Sequence, residues 1–167
     1  FGKTIMLEND IDLSAHFWTP IGSSGTDVFT SIFDGNGKTI SGLTIGTAAS
    51  GSDIQNVGLF GYTNGATVKN VTLTNVSIYA SANSACAGGL AANTYNTSFI
   101  DCHSEGDVTT TGTGTYAGGL IGRLRNSTAV NSHAAGSVTS GNNSYAGGLV
   151  GNMYNASLSG CYATSSV

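Results

Sequence analysis

The chain has 167 residues and a net charge of −4; 25 residues are glycine, 40% are hydrophobic and only 8% are charged. A typical soluble domain is about 25% charged, so hydroxyls and amides must meet water here in place of ions, and the apolar fraction is too large for a disordered coat. The five scattered cations, Lys3, Lys38, Lys69, Arg123 and Arg125, cannot neutralise a run of phosphates, which excludes nucleic acid as the expected partner.

Residues 1–56 read as strands and tight turns. Thr4-Ile5-Met6-Leu7 and Ile11-Asp12-Leu13 are strand-like, Trp18-Thr19-Pro20-Ile21-Gly22 marks a bend, and Phe33-Asp34-Gly35-Asn36-Gly37-Lys38-Thr39-Ile40 is a turn between strands. Trp18 is expected to cover the end of a core. From residue 57 onward the chain repeats. Gly58-Leu59-Phe60-Gly61 recurs as Gly89-Leu90-Ala91-Ala92, Gly119-Leu120-Ile121-Gly122 and Gly148-Leu149-Val150-Gly151, at intervals of about 30 residues. Each copy continues into a turn, at Asn64-Gly65, Asn96, Asn126 and Asn155, and then into a returning strand.

Units of this length with two or more short strands cannot bury a face alone, but identical units stacked about 4.8 Å apart build a continuous core. The pattern therefore predicts an all-β parallel solenoid, with leading coils over 1–56 and repeats over 57–87, 88–117, 118–146 and 147–167. Stacking aligns Leu59, Leu90, Leu120 and Leu149 in one inward column, and Val68, Phe99, Ala129 and Leu158 in another. Val71, Cys102, Ser132 and Cys161 form a third. The glycine pairs 88/89, 118/119 and 147/148 are expected where backbone layers approach closely. Cys102 and Cys161 lie two layers apart, too far for a disulfide, so free thiols are expected. Strict alternation would turn Phe60, Ala91, Ile121 and Val150 away from the leucines and leave one of the two columns in need of a cover. Both ends of the chain are strand-like text, as expected of a segment of a longer protein, and no run of about 18 apolar residues suggests a membrane span.

Asp10-Ile11-Asp12-Leu13, Trp18-Thr19-Pro20-Ile21-Gly22, the segment Phe33 to Leu43 and Asn56-Val57-Gly58-Leu59-Phe60-Gly61 resemble the GLUG-motif repeat region of bacterial adhesin-like surface and secreted proteins. Such regions also occur beside IgA-specific metalloendopeptidases. The resemblance implies a right-handed β-helical stalk displayed outside the cell, and it supplies no ligand. At Ala91-Ala92 the chain departs from the usual final glycine, so a locally altered turn is expected there.

No His-Glu-x-x-His, Gly-x-Ser-x-Gly elbow, P-loop or Rossmann fingerprint stands in a context that could use it, and no cofactor or metal is expected. Two constellations could touch a ligand. Asp101, His103 and Glu105 alternate along one strand, with His133 one layer from His103 and Tyr162 one layer further; stacked imidazoles could grip a sugar edge or share a metal, although a solvated polar face reads the same way. Tyr95, Arg125 and Tyr154 align in a second column, with Tyr116 and Tyr145 in a third, residue types favoured where a rigid surface meets a partner.

The leading functional reading is a non-catalytic extracellular module, a stiff stalk or contact surface that meets a host or cell-surface protein or glycan, or itself through open strand edges. An ice-binding solenoid is the first alternative, suggested by Thr109-Thr110-Thr111, Thr113 and Thr115. The second is a polysaccharide-binding or polysaccharide-cleaving β-helix using Asp101, His103, Glu105 and His133.

Overall fold

The computed structural model describes residues 3–167; Phe1 and Gly2, the first residues of the expected leading coils, lie outside the described residues. The described residues form no helix, and the strands of successive coils pair in parallel. The chain winds as a β-solenoid of coils about 30 residues long, stacked in register along three sheets. The largest sheet follows the order Thr4–Met6, Ile32–Asp34, Thr67–Ala80, Ser98–Thr110, Thr128–Val130 and Ser157–Ser159. A second stacks Phe60–Asn64, Ala91–Tyr95, Ile121–Arg125 and Val150–Tyr154. A third stacks Asn56–Val57, Cys86–Gly88, Tyr116–Gly118 and Tyr145–Gly147.

The register is that of the sequence repeat. Phe60 pairs with Ala91, Ala91 with Ile121 and Ile121 with Val150, while Val68, Phe99, Ala129 and Leu158 pair successively in the large sheet. The first repeat is slightly longer than the second, for a local reason. Ser104 pairs with Leu73 but Gly106 with Val76, so the earlier coil carries an extra residue. Asn75 takes it up in a left-handed conformation, φ 54°, which asparagine tolerates because its short polar side chain can bond locally.

Two further columns of left-handed residues turn the chain. Gly65, Asn96, Asn126 and Asn155, at φ between 46° and 69°, make the turn leaving the second sheet, where the sequence places it. Asn70, Asp101, Asn131 and Gly160, at φ between 49° and 63°, bend the large sheet. The residue after that bend supplies a side chain that caps the freed carbonyls. Ser132 Oγ donates to the Val130 carbonyl at 2.8 Å and accepts from the Cys102 amide at 3.1 Å. The Cys102 thiol reaches the Val68 and Ile100 carbonyls at 3.5 and 3.3 Å.

The core is lean and continuous. Leu59, Leu90, Leu120 and Leu149 are buried, as are Val68, Phe99 and Ala129; Leu158, expected in the core, is instead 39% exposed, because its strand Ser157–Ser159 is the edge of the large sheet and has a neighbour on one side only. Phe29 and Phe33 pack against Phe60 with ring centroids 4.8 and 5.3 Å apart. Trp18 lies half-buried at this end and donates its indole N–H to the Leu59 carbonyl at 3.1 Å, the covering role the sequence suggests.

The expectation of an uncovered apolar stripe is overturned. Phe60, Ala91 and Ile121 are fully buried alongside their leucine neighbours, and Val150 is partly buried. Alternation holds only within one strand, and the chain turns a corner between the third sheet and the second at Gly89-Leu90 and its equivalents, so consecutive residues on either side of it both enter the core. Small residues permit this tight arch. A Cβ on Gly122 would lie 2.7 Å from the Ala92 carbonyl oxygen and 2.8 Å from the Ala87 nitrogen, and Gly88 and Gly118 are hemmed by backbone in the same way. Nor is the Ala91-Ala92 turn altered: Ala91 keeps register with both neighbouring coils and both alanines are fully buried.

Truncation at the middle of the leucine column, Leu120→Ala, is expected to destabilise the protein by about 2–5 kcal/mol in chemical denaturation. Gly122→Val is expected to do at least as much damage, because its added atoms meet backbone that cannot yield.

Candidate functional site

Two side-chain constellations face outward from this frame. The first stands on the large sheet, where His103 pairs with Thr72 on one side and His133 on the other, and His133 pairs with Tyr162. Because equal positions overlie one another, the rings form a ladder. The His103 and His133 centroids are 3.9 Å apart, tilted by 31°, and the His133 and Tyr162 centroids are 4.7 Å apart, nearly parallel at 11°. Cys102 and Ser104 point inward and are buried, which leaves His103 and Glu105 outward.

Asp101 departs from the expected arrangement. Its left-handed backbone, φ 51°, breaks the alternation between Ile100 and Cys102, so Asp101 stands at the bend of the sheet and does not share one flat face with His103 and Glu105. Burial is the largest influence on the His103 imidazole and holds it below the usual histidine range; the neighbouring His133 adds repulsion, and the Asp101 carboxylate opposes both by favouring the protonated form. The buried Nδ1 of His103 has no hydrogen-bond partner. His103, Glu105, His133 and Thr72 edge a small depression. Among the described residues no group of three or more His, Cys, Asp and Glu is placed to hold a metal ion.

The second constellation lies on the outer faces of the second and third sheets. Tyr95, Arg125 and Tyr154 pair in register, as do Cys86, Tyr116 and Tyr145. The Tyr116 and Tyr145 rings stack 5.2 Å apart with planes within 1°. Arg123, merely one scattered cation in the sequence, joins them: its guanidinium carbon sits 4.4 Å from the Tyr116 ring centroid, beside the buried Cys86 thiol. Cysteine occupies the place where the next two coils carry tyrosine, and Arg123 reaches both this thiol and the Tyr116 ring. The residue spacing held this signal, since Arg123 and Arg125 fall on one side of an alternating strand. Arg125 Nη2 donates to Asn93 Oδ1 at 2.9 Å and its guanidinium carbon lies 5.8 Å from the Tyr95 ring.

The threonine run makes no flat array. Thr109 pairs with Tyr79 and Thr139, whereas Thr110 and Thr115 are buried and hydrogen-bonded to each other at 2.6 Å. The three cysteines are free, and burial pushes the Cys102 thiol up to about 12, which leaves it inert as a nucleophile.

The arch and the asparagine turn fall together within stretches that match a known family. The GLUG motif matches residues 83–109 and 142–167. The chain carries GLUG motifs. Each matched stretch contains the Gly-Gly-Leu arch, preceded by Cys86 or Tyr145 and followed by the asparagine turn and the return into the large sheet. The two GLUG segments are separated by one coil that pairs with both in the same register. No curated protein and no solved structure gives a significant match.

A histidine held below its ordinary range contributes stability that is present above the unfolded-state value and lost as pH falls through it, because the unfolded chain then binds more protons. The thermal midpoint is therefore expected to drop between about pH 7 and pH 5, and His103→Gln should flatten that slope. An equally steep slope in the variant would place the effect elsewhere.

Proposed function

We propose that this solenoid is a non-catalytic module of a bacterial surface or secreted protein, acting outside the cell as a stiff rod whose side-chain ladders provide contacts for host or cell-surface molecules, as in an adhesin. The single observation that carries this reading is the continuous parallel stacking of the coils: strands of each coil are hydrogen-bonded to those of the neighbouring coils, and one core runs through them all. Such a structure resists extension because pulling must break whole rows of hydrogen bonds cooperatively, while its outward residues are free to vary without disturbing the core. The low charge and the GLUG motifs support the same reading.

The placement of the acidic groups on the large-sheet face supports a role in contact over one in catalysis. Asp101 stands at the bend, Glu105 is exposed, and the depression beside His103 is small. An ice-binding role finds no support in the threonine placement described above.

Pulling the chain from its two ends in a single-molecule force experiment tests the rod. Unfolding is expected in discrete force peaks, each releasing about one coil, or roughly 100 Å of extended chain. Smooth extension without resisting peaks would refute a mechanical role.

A further inference from the structure

In residues 57–167 the carboxylates and the arginines stand on different sheets, while the remaining cation, Lys69, lies on the large sheet and is paired with Asp34. All three carboxylates, Asp101, Glu105 and Asp107, stand on Ser98–Thr110 in the large sheet, whereas both arginines stand on Ile121–Arg125 in the second sheet. The one ion pair among the described residues joins Lys69 to Asp34, so neither Arg123 nor Arg125 has a carboxylate partner there. The Nε atoms of both are buried without a hydrogen-bond acceptor. Two guanidinium groups two residues apart along a strand, roughly 7 Å by the strand rise, thus stand without a carboxylate partner on a face whose strands carry no acidic side chain.

That face is also aromatic and rich in amides. Tyr116 and Tyr145 stack beside Arg123, Tyr95 and Tyr154 flank Arg125 in register, and Asn93 and Asn152 flank Arg123. Tyr145 and Tyr154 are 54% and 63% exposed, enough to offer ring surface to a ligand. From these features we infer that the Arg123–Arg125 face binds an acidic polysaccharide through its sugar carboxylates. A guanidinium fork matches a planar carboxylate in two parallel hydrogen bonds. The tyrosine rings suit the C–H faces of pyranose rings, and asparagine amides suit their hydroxyls. A densely sulfated chain fits poorly, since two cations on a protein of net charge −4 cannot offset its charge density. This inference rests on the reading that the outward ladders make contacts; the rod itself is tested by force and stands or falls separately.

Calorimetric titration of the full chain with polygalacturonate, its methyl ester and dextran sulfate tests the assignment. The free acid is expected to bind, with affinity falling as salt is added, and the ester, which keeps the backbone but loses the charge, is expected to bind at least tenfold more weakly. R123Q/R125Q should reduce binding to the free acid at least tenfold without lowering the thermal midpoint, while E105Q/D107N on the opposite charge patch should leave it unchanged. Absence of binding to the free acid, equal binding of acid and ester, tighter binding of dextran sulfate, or wild-type affinity in R123Q/R125Q would each overturn it. Should the arginine variant fail to fold, Y145A/Y154A, altered only at exposed rings, decides: a several-fold loss supports the site and wild-type affinity refutes it.

Discussion

The parallel main-chain ladder between successive coils is the constraint on which the rest of this structure depends. A strand can pair in parallel with the strand one coil away only if the intervening chain makes a complete circuit and returns to the same place, and Phe60, Ala91, Ile121 and Val150 mark successive returns of that kind. Once the circuit is fixed, each position has a permanent neighbour above and below. Leucine stacks on leucine in the core, histidine on histidine outside it, and arginine between tyrosines. Charge must be sparse under such a rule, because a charged residue retained through the repeat would stack on its own sign. The two aligned histidines carry that penalty: burial first, and then the nearness of His133, hold the His103 imidazole below its ordinary range.

The arch between the third and second sheets converts that constraint into a sequence rule. Two strands joined so tightly must lie almost in contact, and the faces between them admit little beyond glycine and alanine. This explains why glycine is abundant without the sequence being flexible: in the Gly-Gly-Leu arches it is required by neighbouring backbone. Conformational freedom is the issue in fewer places, mainly the left-handed turns, and there asparagine serves as often as glycine.

Much of this is legible from spacing alone. The leucine and Val68-to-Leu158 columns, the asparagine turns, the free cysteines and the overlay of His103, His133 and Tyr162 all follow from laying the repeat copies over one another. Alternation carried across a bend fails. It puts Phe60, Ala91 and Ile121 opposite the leucines, yet the corner turns both columns inward; it puts Asp101 beside His103, yet a left-handed backbone places Asp101 at a fold in the sheet. Period-two reasoning contains no term for a corner, and an aspartate gives less warning of one than the asparagines at equivalent positions 70 and 131. The capping by Cys102 and Ser132 and the lean of Arg123 over Cys86 depend on contacts between copies that differ in sequence, so no single repeat reveals them.

The outcome is a solenoid that carries Asp101, Glu105, Asp107 and the stacked histidines on its large sheet and the arginines with Tyr95, Tyr116, Tyr145 and Tyr154 on its second and third sheets, all around one continuous core. The overlay of equivalent positions is open to direct observation by nuclear Overhauser contacts between backbone protons in solution. Contacts linking the chain around Ala91 to Ile121, and around Ile121 to Val150, each a full coil away in sequence, are the predicted result. Contacts confined to antiparallel partners close together along the chain would contradict the solenoid and every ladder built on it.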